Sequence, residues 1–257
     1  MNDLFLLLVG LSTCGVASTF LIKYHFLRSQ IQKILATQTS AIKDIYAIEA
    51  AIAKKMGHNH SWSELVELKG TVTCKQPLIA ELSQHPCVYF HTTIEEHYEA
   101  TECEIDEDGD ATHTENSGVK TLADRVRQTN FYLEDQTGQI LIDLTDAAID
   151  PLIVVDEFRA LNPSSTSSYR LLGFQKTEKL IRVGAEIYVL SEVNNLDGEL
   201  QIGASHDQKA SFIVSCQSEG NLLKSKKALS KNRLLWGAGL MLPGWALSVY
   251  ALLSLFA

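Results

Sequence analysis

The stretch LFLLLVGLSTCGVASTFLI, residues 4–22, decides how the rest of the chain is read: it runs for 19 residues without a charge. At a rise of about 1.5 Å per residue it makes roughly 28 Å of helix, close to the ~30 Å hydrocarbon core of a bilayer. Leu234 to Ala257 forms a second uncharged run of 24 residues, about 36 Å of helix and enough to span with some tilt. Two transmembrane helices are expected, over 4–22 and 234–256, with limits at Leu4, Ile22, Leu234 and Phe256. Trp236, Trp245 and Tyr250 suit lipid headgroups, and Pro243-Gly244 suits a kink in the second span. The hydroxyls of Ser12, Thr13, Ser18 and Thr19 weaken the first span but can bond back to helix carbonyls. A cleaved signal peptide wants basic residues before its apolar run, whereas here Asp3 precedes it and Lys23, Arg28 and Lys33 follow; an uncleaved anchor fits those flanks better. A buried core helix fits the second run poorly, because that run has no polar face.

Between the two runs the chain is polar. The 257 residues are 46% hydrophobic, which excludes disorder throughout. The net charge of −9 argues against a nucleic-acid partner, whose phosphates call for a basic surface. Five cysteines are too few for a disulfide scaffold. In a reducing compartment they are small apolar residues; in an exported domain some could pair. Basic residues crowd the inner flanks of both runs: Lys23, Arg28 and Lys33 on one side, Lys224, Lys226, Lys227, Lys231 and Arg233 on the other. The positive-inside tendency therefore favours a cytoplasmic central segment, although that rule weakens for long loops.

From Lys23 to Met56 the chain lacks Pro and Gly. Leu27, Ile31, Ile34, Gln38, Ala41, Ile45, Ile48 and Ile52 recur in steps of four and three, as in a coiled-coil seam. One long juxtamembrane amphipathic helix is expected over 23–56, with Gly57 as its stop. Its stripe either makes a homo-oligomer or packs onto the chain's own domain. Gln38 and Ala41 weaken its middle and favour the second.

Beyond Trp62 the period becomes strand-like. Strands are expected at 67–74, 87–95, 127–133, 140–144, 153–155, 186–192, 199–203 and 211–214. The turn signals are Asp135-Gln136-Thr137-Gly138, Asn162-Pro163 and Asn194 to Gly198. Short strands at this spacing point to a mainly β domain, an antiparallel barrel or sandwich, over 61–220. Gly184–Gly203 has the pattern of a hairpin.

Chemistry is thin. The stretch Glu95–Glu115 holds ten acidic residues and no Lys or Arg, the pattern of a solvated loop or extended hairpin tip. Asp106, Asp108 and Asp110 fail as a calcium loop: Gly109 falls at the fourth position and Ser117 at the twelfth. His58 and His60 have only Glu64 nearby. Cys74, Cys87, Cys103 and Cys216 lack the C-x-x-C spacing of zinc sites. Nucleophile-elbow, phosphate-loop and dinucleotide motifs are missing. No catalytic, cofactor-binding or metal residue and no cofactor is expected. Two spans without a charged residue give little to line a channel.

Several segments together resemble the GIDE or BAM ("beside a membrane") domain of the Mulan-type mitochondrial E3 ubiquitin ligases and their bacterial relatives. They are Gly70-Thr71-Val72 with Pro77-Leu78, Pro86-Cys87-Val88-Tyr89-Phe90, Phe131 to Asp135 with Thr137-Gly138, and Glu178-Lys179-Leu180 through Gly184, Tyr188-Val189-Leu190 and Glu192-Val193. The family-motif positions are Pro86, Cys87, Tyr89, Asp135, Gly138, Glu178 and Gly184. The resemblance implies two spans flanking the domain and, in the eukaryotic ligases, a C-terminal RING finger holding two zinc ions. The present chain reaches Ala257 within its second run, and its cysteines offer no such module. In the mitochondrial ligases the domain faces the intermembrane space, opposite to what the basic flanks here favour.

The expected function is a binding or scaffold module beside the bilayer, non-catalytic by itself, with lipid and a membrane-proximal protein as partners. One alternative is a ubiquitin-transferase role with zinc chemistry supplied by another chain. A second is a hydrolase hidden in the central domain, which requires His and Asp/Glu to converge in a pocket.

Overall fold

The structure, a computed structural model, describes residues 2–56, 62–105, 111–161, 169–196, 199–203 and 212–256. Two compact units emerge, one formed by Met1–Thr39 with Gln217–Ala257 and the other by Ser40–Cys216. His58, His60, Asp106, Asp108, Gly109 and Asp110 lie outside the described residues.

The first unit is an antiparallel pair of helices, α1 (Asn2–Ala36) and α3 (Glu219–Phe256). Small residues set their spacing. A Cβ on Gly10 would collide with the Ser248 hydroxyl and sit 2.9 Å from the Gly244 carbonyl oxygen. A Cβ on Gly244 would meet Thr13 and lie 3.0 Å from the Cys14 sulfur. Near the other end, a Cβ on Gly237 would come within 2.8 Å of Leu21, and Lys226 Nζ donates to Gln30 Oε1 at 2.9 Å. Ser230, Gly237, Gly244 and Ala251 are all buried; the seven-residue spacing keeps one face of α3 turned to its neighbour. Small side chains let the two backbones approach closely. The hydroxyls of Ser12, Thr13, Ser18 and Thr19 bond to carbonyls three or four residues back, as expected.

These contacts fix the register. Residue 10 is level with 248, 13 with 244, 21 with 237 and 30 with 226. Ile22 is then level with Trp236, and Leu4 with Ser254. The two uncharged runs coincide as one apolar belt of about 28 Å. Its outer surface is bare: Leu4, Phe5, Leu8, Ile22, Trp236, Leu242, Trp245 and Leu253 are each more than half exposed. Both helices are long and apolar enough to cross a membrane. Trp245 falls midway along the belt, level with residue 13, rather than at its edge. α3 runs on through Pro243 as one helix.

The helix expected over 23–56 is two helices. Residues 37–41 interrupt it, and α2 (Ile42–Met56) belongs to the second unit. Thr37 closes α1 by donating its amide and hydroxyl to the Lys33 carbonyl, at 3.1 and 2.8 Å. Thr37, Thr39 and Ser40 compete with helical bonding, and the Ser40 amide goes instead to the Glu67 carbonyl at 2.8 Å. The apolar stripe is thereby divided. Leu27, Ile31 and Ile34 are buried on the α1 face that carries Gln30. Ile42 and Ile45 enter the core of the second unit, while Ile48 is 41% exposed.

The second unit is mostly β. Five strands close a barrel: β1 (Ser63–Thr73), β5 (Phe131–Glu134), β6 (Gln139–Ile142), β11 (Glu199–Gly203) and β10 (Glu186–Leu196), which pairs back onto β1. Counted along the chain, the ring runs first, second, third, fifth, fourth and back to first, with third and fifth parallel. That is the connectivity of an OB-fold barrel. β12 (Ile213–Ser215) and β7 (Ala148–Asp150) extend the sheet beyond β10. Alternate inward residues fill the barrel: Val66, Leu68 and Val72 face Phe131, Leu133, Ile140, Ile142, Ile187, Val189, Val193 and Ile202, and Ile42 and Ile45 of α2 join them.

A second sheet contains β2 (Leu78–Ile79), β3 (Pro86–Ile105), β4 (Ala111–Gln128), β9 (Tyr169–Arg182) and β8 (Leu152–Ala160). β3 pairs with β4 from Tyr89–Gln128 out to Ile105–Ala111. The described residues of the acidic stretch, 95–105 and 111–115, thus lie in the far half of a long hairpin. The single strand expected at 127–133 is split, with β4 ending at Gln128 in one sheet and β5 starting at Phe131 in the other. β4 and β9 are missing from the expectation because their polar residues alternate around charges.

The helix register is open to test through the native Cys14. Gly244→Cys should place the two sulfurs within disulfide reach. Oxidation of the full chain in membranes should give a faster band on non-reducing gels that dithiothreitol abolishes. An unchanged band would contradict the pairing.

Candidate functional site

The family-motif residues fall into two clusters, and most engage their own fold. Glu178 on β9 is fully buried opposite Thr92 of β3. Its Oε1 accepts from the Leu82 amide at 2.7 Å and the Thr92 hydroxyl at 3.1 Å, while Oε2 accepts from the Ser83 amide at 2.8 Å. The carboxylate thus ties the turn before β3, closed by Ala80 N to His85 O at 3.0 Å, to the sheet. Burial alone would raise its pKa; the bonds from Ser83, Leu82 and Thr92 outweigh that and hold it below the usual range.

Cys87 lies beside it with its thiol toward the Leu78 carbonyl, 3.6 Å away. Burial, then the Glu178 charge, push that thiol up to about 11. A thiol so placed is protonated at neutral pH and a poor nucleophile. The Pro86 carbonyl accepts from the Val183 amide at 3.1 Å. Next to it Gly184 turns β9 into β10 at φ +83°, a left-handed conformation that favours glycine; its amide donates to Val72 O at 2.8 Å. Tyr89 packs against the barrel core, and its hydroxyl is raised by burial and by Asp124.

Asp135 and Gly138 form the other cluster, at the β5–β6 turn. Asp135 Oδ1 accepts from the Thr137 amide and hydroxyl at 2.6 Å each and from the Gly138 amide at 2.9 Å. Its Oδ2 accepts from the Ile42 amide at 2.9 Å, and Thr137 Oγ1 accepts from the Lys43 amide at 3.1 Å. The first amides of α2 are therefore capped from a turn distant in sequence rather than by the residues just before the helix. Burial opposes the Asp135 charge, but the Thr137, Ile42 and Gly138 donors prevail and lower its pKa.

The Asp-x-Thr-Gly spacing reveals the turn in the sequence, but nothing there reveals that it caps α2. Two further polar knots carry no sequence signal. Glu67, nearly buried, accepts from the Tyr188 hydroxyl at 3.0 Å and pairs with Lys69 at 3.1 Å. Glu49 of α2 accepts from the Trp62 indole and the Asn195 amide.

Among the described residues, the hydrolase reading has one candidate pair, His91 and Asp124. His91 Nε2 lies 2.6 Å from Asp124 Oδ1, and the Thr93 hydroxyl is 3.4 Å from the same nitrogen. A nucleophile–base–acid relay needs hydroxyl and carboxylate on opposite ring nitrogens, so this trio does not make one. Among the described residues no three His, Cys, Asp or Glu side chains gather as metal ligands.

Glu178→Gln tests the buried carboxylate. A lowered pKa means stability present above about pH 5 and lost as pH falls through the carboxylate range. The full chain in detergent should lose roughly 1.5–3 kcal/mol at pH 7, and its melting point should fall less between pH 6 and 3 than that of the wild type. Equal acid sensitivity in both would contradict the assignment.

No curated protein and no solved structure matches the chain. Residues 100–247 match the profile of the GIDE family, described as "E3 Ubiquitin ligase". The match takes in the end of β3, all of β4, β8 and β9, every barrel strand except β1, and the larger part of α3. It includes Asp135, Gly138, Glu178 and Gly184 and begins after Pro86, Cys87 and Tyr89. Covering more than half of the sequence, it makes this chain a member of the GIDE family.

Proposed function

We propose that this GIDE protein is a membrane-anchored binding module, non-catalytic by itself, whose β head presents a surface to a membrane-proximal protein. The observation that carries the anchoring is the coincidence of two uncharged runs as one bare apolar belt. Contiguous apolar surface on that scale calls for lipid. Two anchors confine the head near the bilayer and raise its effective concentration toward other membrane proteins. The basic residues that adjoin one rim of the belt favour the cytoplasmic side for that rim.

Several features support a binding rather than a chemical role. The carboxylates of Asp135 and Glu178 are spent on backbone amides, and the Cys87 thiol is raised to about 11. The OB-like connectivity does not point to nucleic acid, because β5 and β6, its usual ligand strands, carry no Lys or Arg.

The family's description favours a second reading, participation in ubiquitin transfer. The five cysteines at 14, 74, 87, 103 and 216 lack the paired spacings of a cross-braced zinc module, so in that reading the zinc module lies outside these 257 residues. Purified full chain, incubated with ubiquitin, activating enzyme and a panel of conjugating enzymes, should transfer no ubiquitin above a chain-free control and should contain no zinc. Proximity labelling from the head should recover membrane proteins. Ubiquitin transfer by the chain alone, or two zinc ions per chain, would overturn the binding-module reading.

A further inference from the structure

We infer that the helix pair carries a cationic collar that binds the anionic phospholipid headgroups of one leaflet. The inference rests on the membrane reading above and deepens it.

Both helices continue well past the belt. Beyond Ile22, α1 has 14 more residues, and the matching part of α3 begins at Glu219, so the pair extends roughly 21 Å further. Residues 23–36 and 220–233 hold eight Lys or Arg and no Asp or Glu. On two adjacent helices such charges repel one another, which a negatively charged surface relieves.

The register sorts these cations by height. Lys23 lies about 1.5 Å and Arg28 about 9 Å beyond the belt edge at Ile22. From Trp236 on α3, Arg233 lies about 4.5 Å and Lys231 about 8 Å beyond it. Headgroups occupy roughly 5–7 Å outside the hydrocarbon, so these four sit within or against that layer. Lys33, Lys227 and Lys224 lie about 14–18 Å out, near the limit of a Debye length of ~8 Å measured from the headgroup surface. Lys23, Arg28 and Lys231 are exposed, with Arg28 sharing one N–H with the Tyr24 hydroxyl at 3.2 Å. Lys226 is engaged with Gln30. The near four therefore carry most of the attraction, about 1 kcal/mol each at the surface, or some fivefold.

The test uses full chain in vesicles of phosphatidylcholine with phosphatidylglycerol at roughly 7:3, with electron spin resonance of spin-labelled lipids. Lipid at the protein boundary gives a motionally restricted component, and the ratio of its affinities for the two lipids reads the collar. The wild type should prefer phosphatidylglycerol by roughly threefold or more, with the preference falling in high salt. Changing Lys23, Arg28, Lys231 and Arg233 to Gln should bring the ratio close to one while the restricted component persists. The same change at Lys33, Lys224 and Lys227 should leave most of it.

A restricted component with no preference in the wild type would overturn the collar and leave the membrane reading intact. Absence of any restricted component, with release by alkaline carbonate, would overturn the membrane reading itself. A larger loss from the far set than from the near set would contradict the height assignment. Phosphate erasing the preference at an ionic strength where chloride does not would make free phosphate, not lipid, the partner.

Discussion

Close approach of two helix backbones is the constraint on which the rest depends. Gly10 and Gly244 leave no room for a side chain between α1 and α3, and that contact sets the register. Slipping one helix by a turn would move its apolar run about 5.4 Å relative to the other. Charged residues of one helix would then lie beside apolar residues of its neighbour. In the observed register the uncharged runs coincide and the cations gather beyond one rim. Packing between small residues thus decides where the apolar belt ends and where the cations begin.

Carboxylates order the head in a comparable way. Glu178 and Asp135 each collect amides from a segment distant in sequence, one the turn before β3 and the other the start of α2. Neither carboxylate has a basic partner in these contacts; backbone and hydroxyl donors hold the charge. The barrel with α2 against it and the second sheet are in this sense stapled by carboxylate side chains. Their engagement directs attention to the surface of the head, where membership of the GIDE family places the chain among proteins linked to ubiquitin ligation.

Much of this was legible in the residues because the governing patterns are local. The uncharged runs, the short alternating strands of the barrel and the Gly184–Gly203 hairpin are set by neighbours in sequence. Long-range partners were not legible. The stripe from Leu27 to Ile52 has the periodicity of one helix, yet the Ser40 amide finds Glu67 and the Ile42 amide finds Asp135, and the helix divides there. β4 and β9 lack an apolar period because they lie in a sheet whose residues are largely half-exposed or exposed. Trp245 looked like a headgroup anchor by residue type; only the register with α1 places it at mid-belt.

Trp245 consequently offers the most direct measurement of the central claim. In single-tryptophan variants of the full chain, fluorescence quenching by lipids brominated at different depths reports how far each indole lies from the bilayer centre. The account predicts that Trp245 is quenched most by bromines near the acyl-chain ends and Trp236 most by bromines near the headgroups. Equal quenching of the two at a shallow depth, or no quenching of either, would contradict a membrane-spanning helix pair in this register.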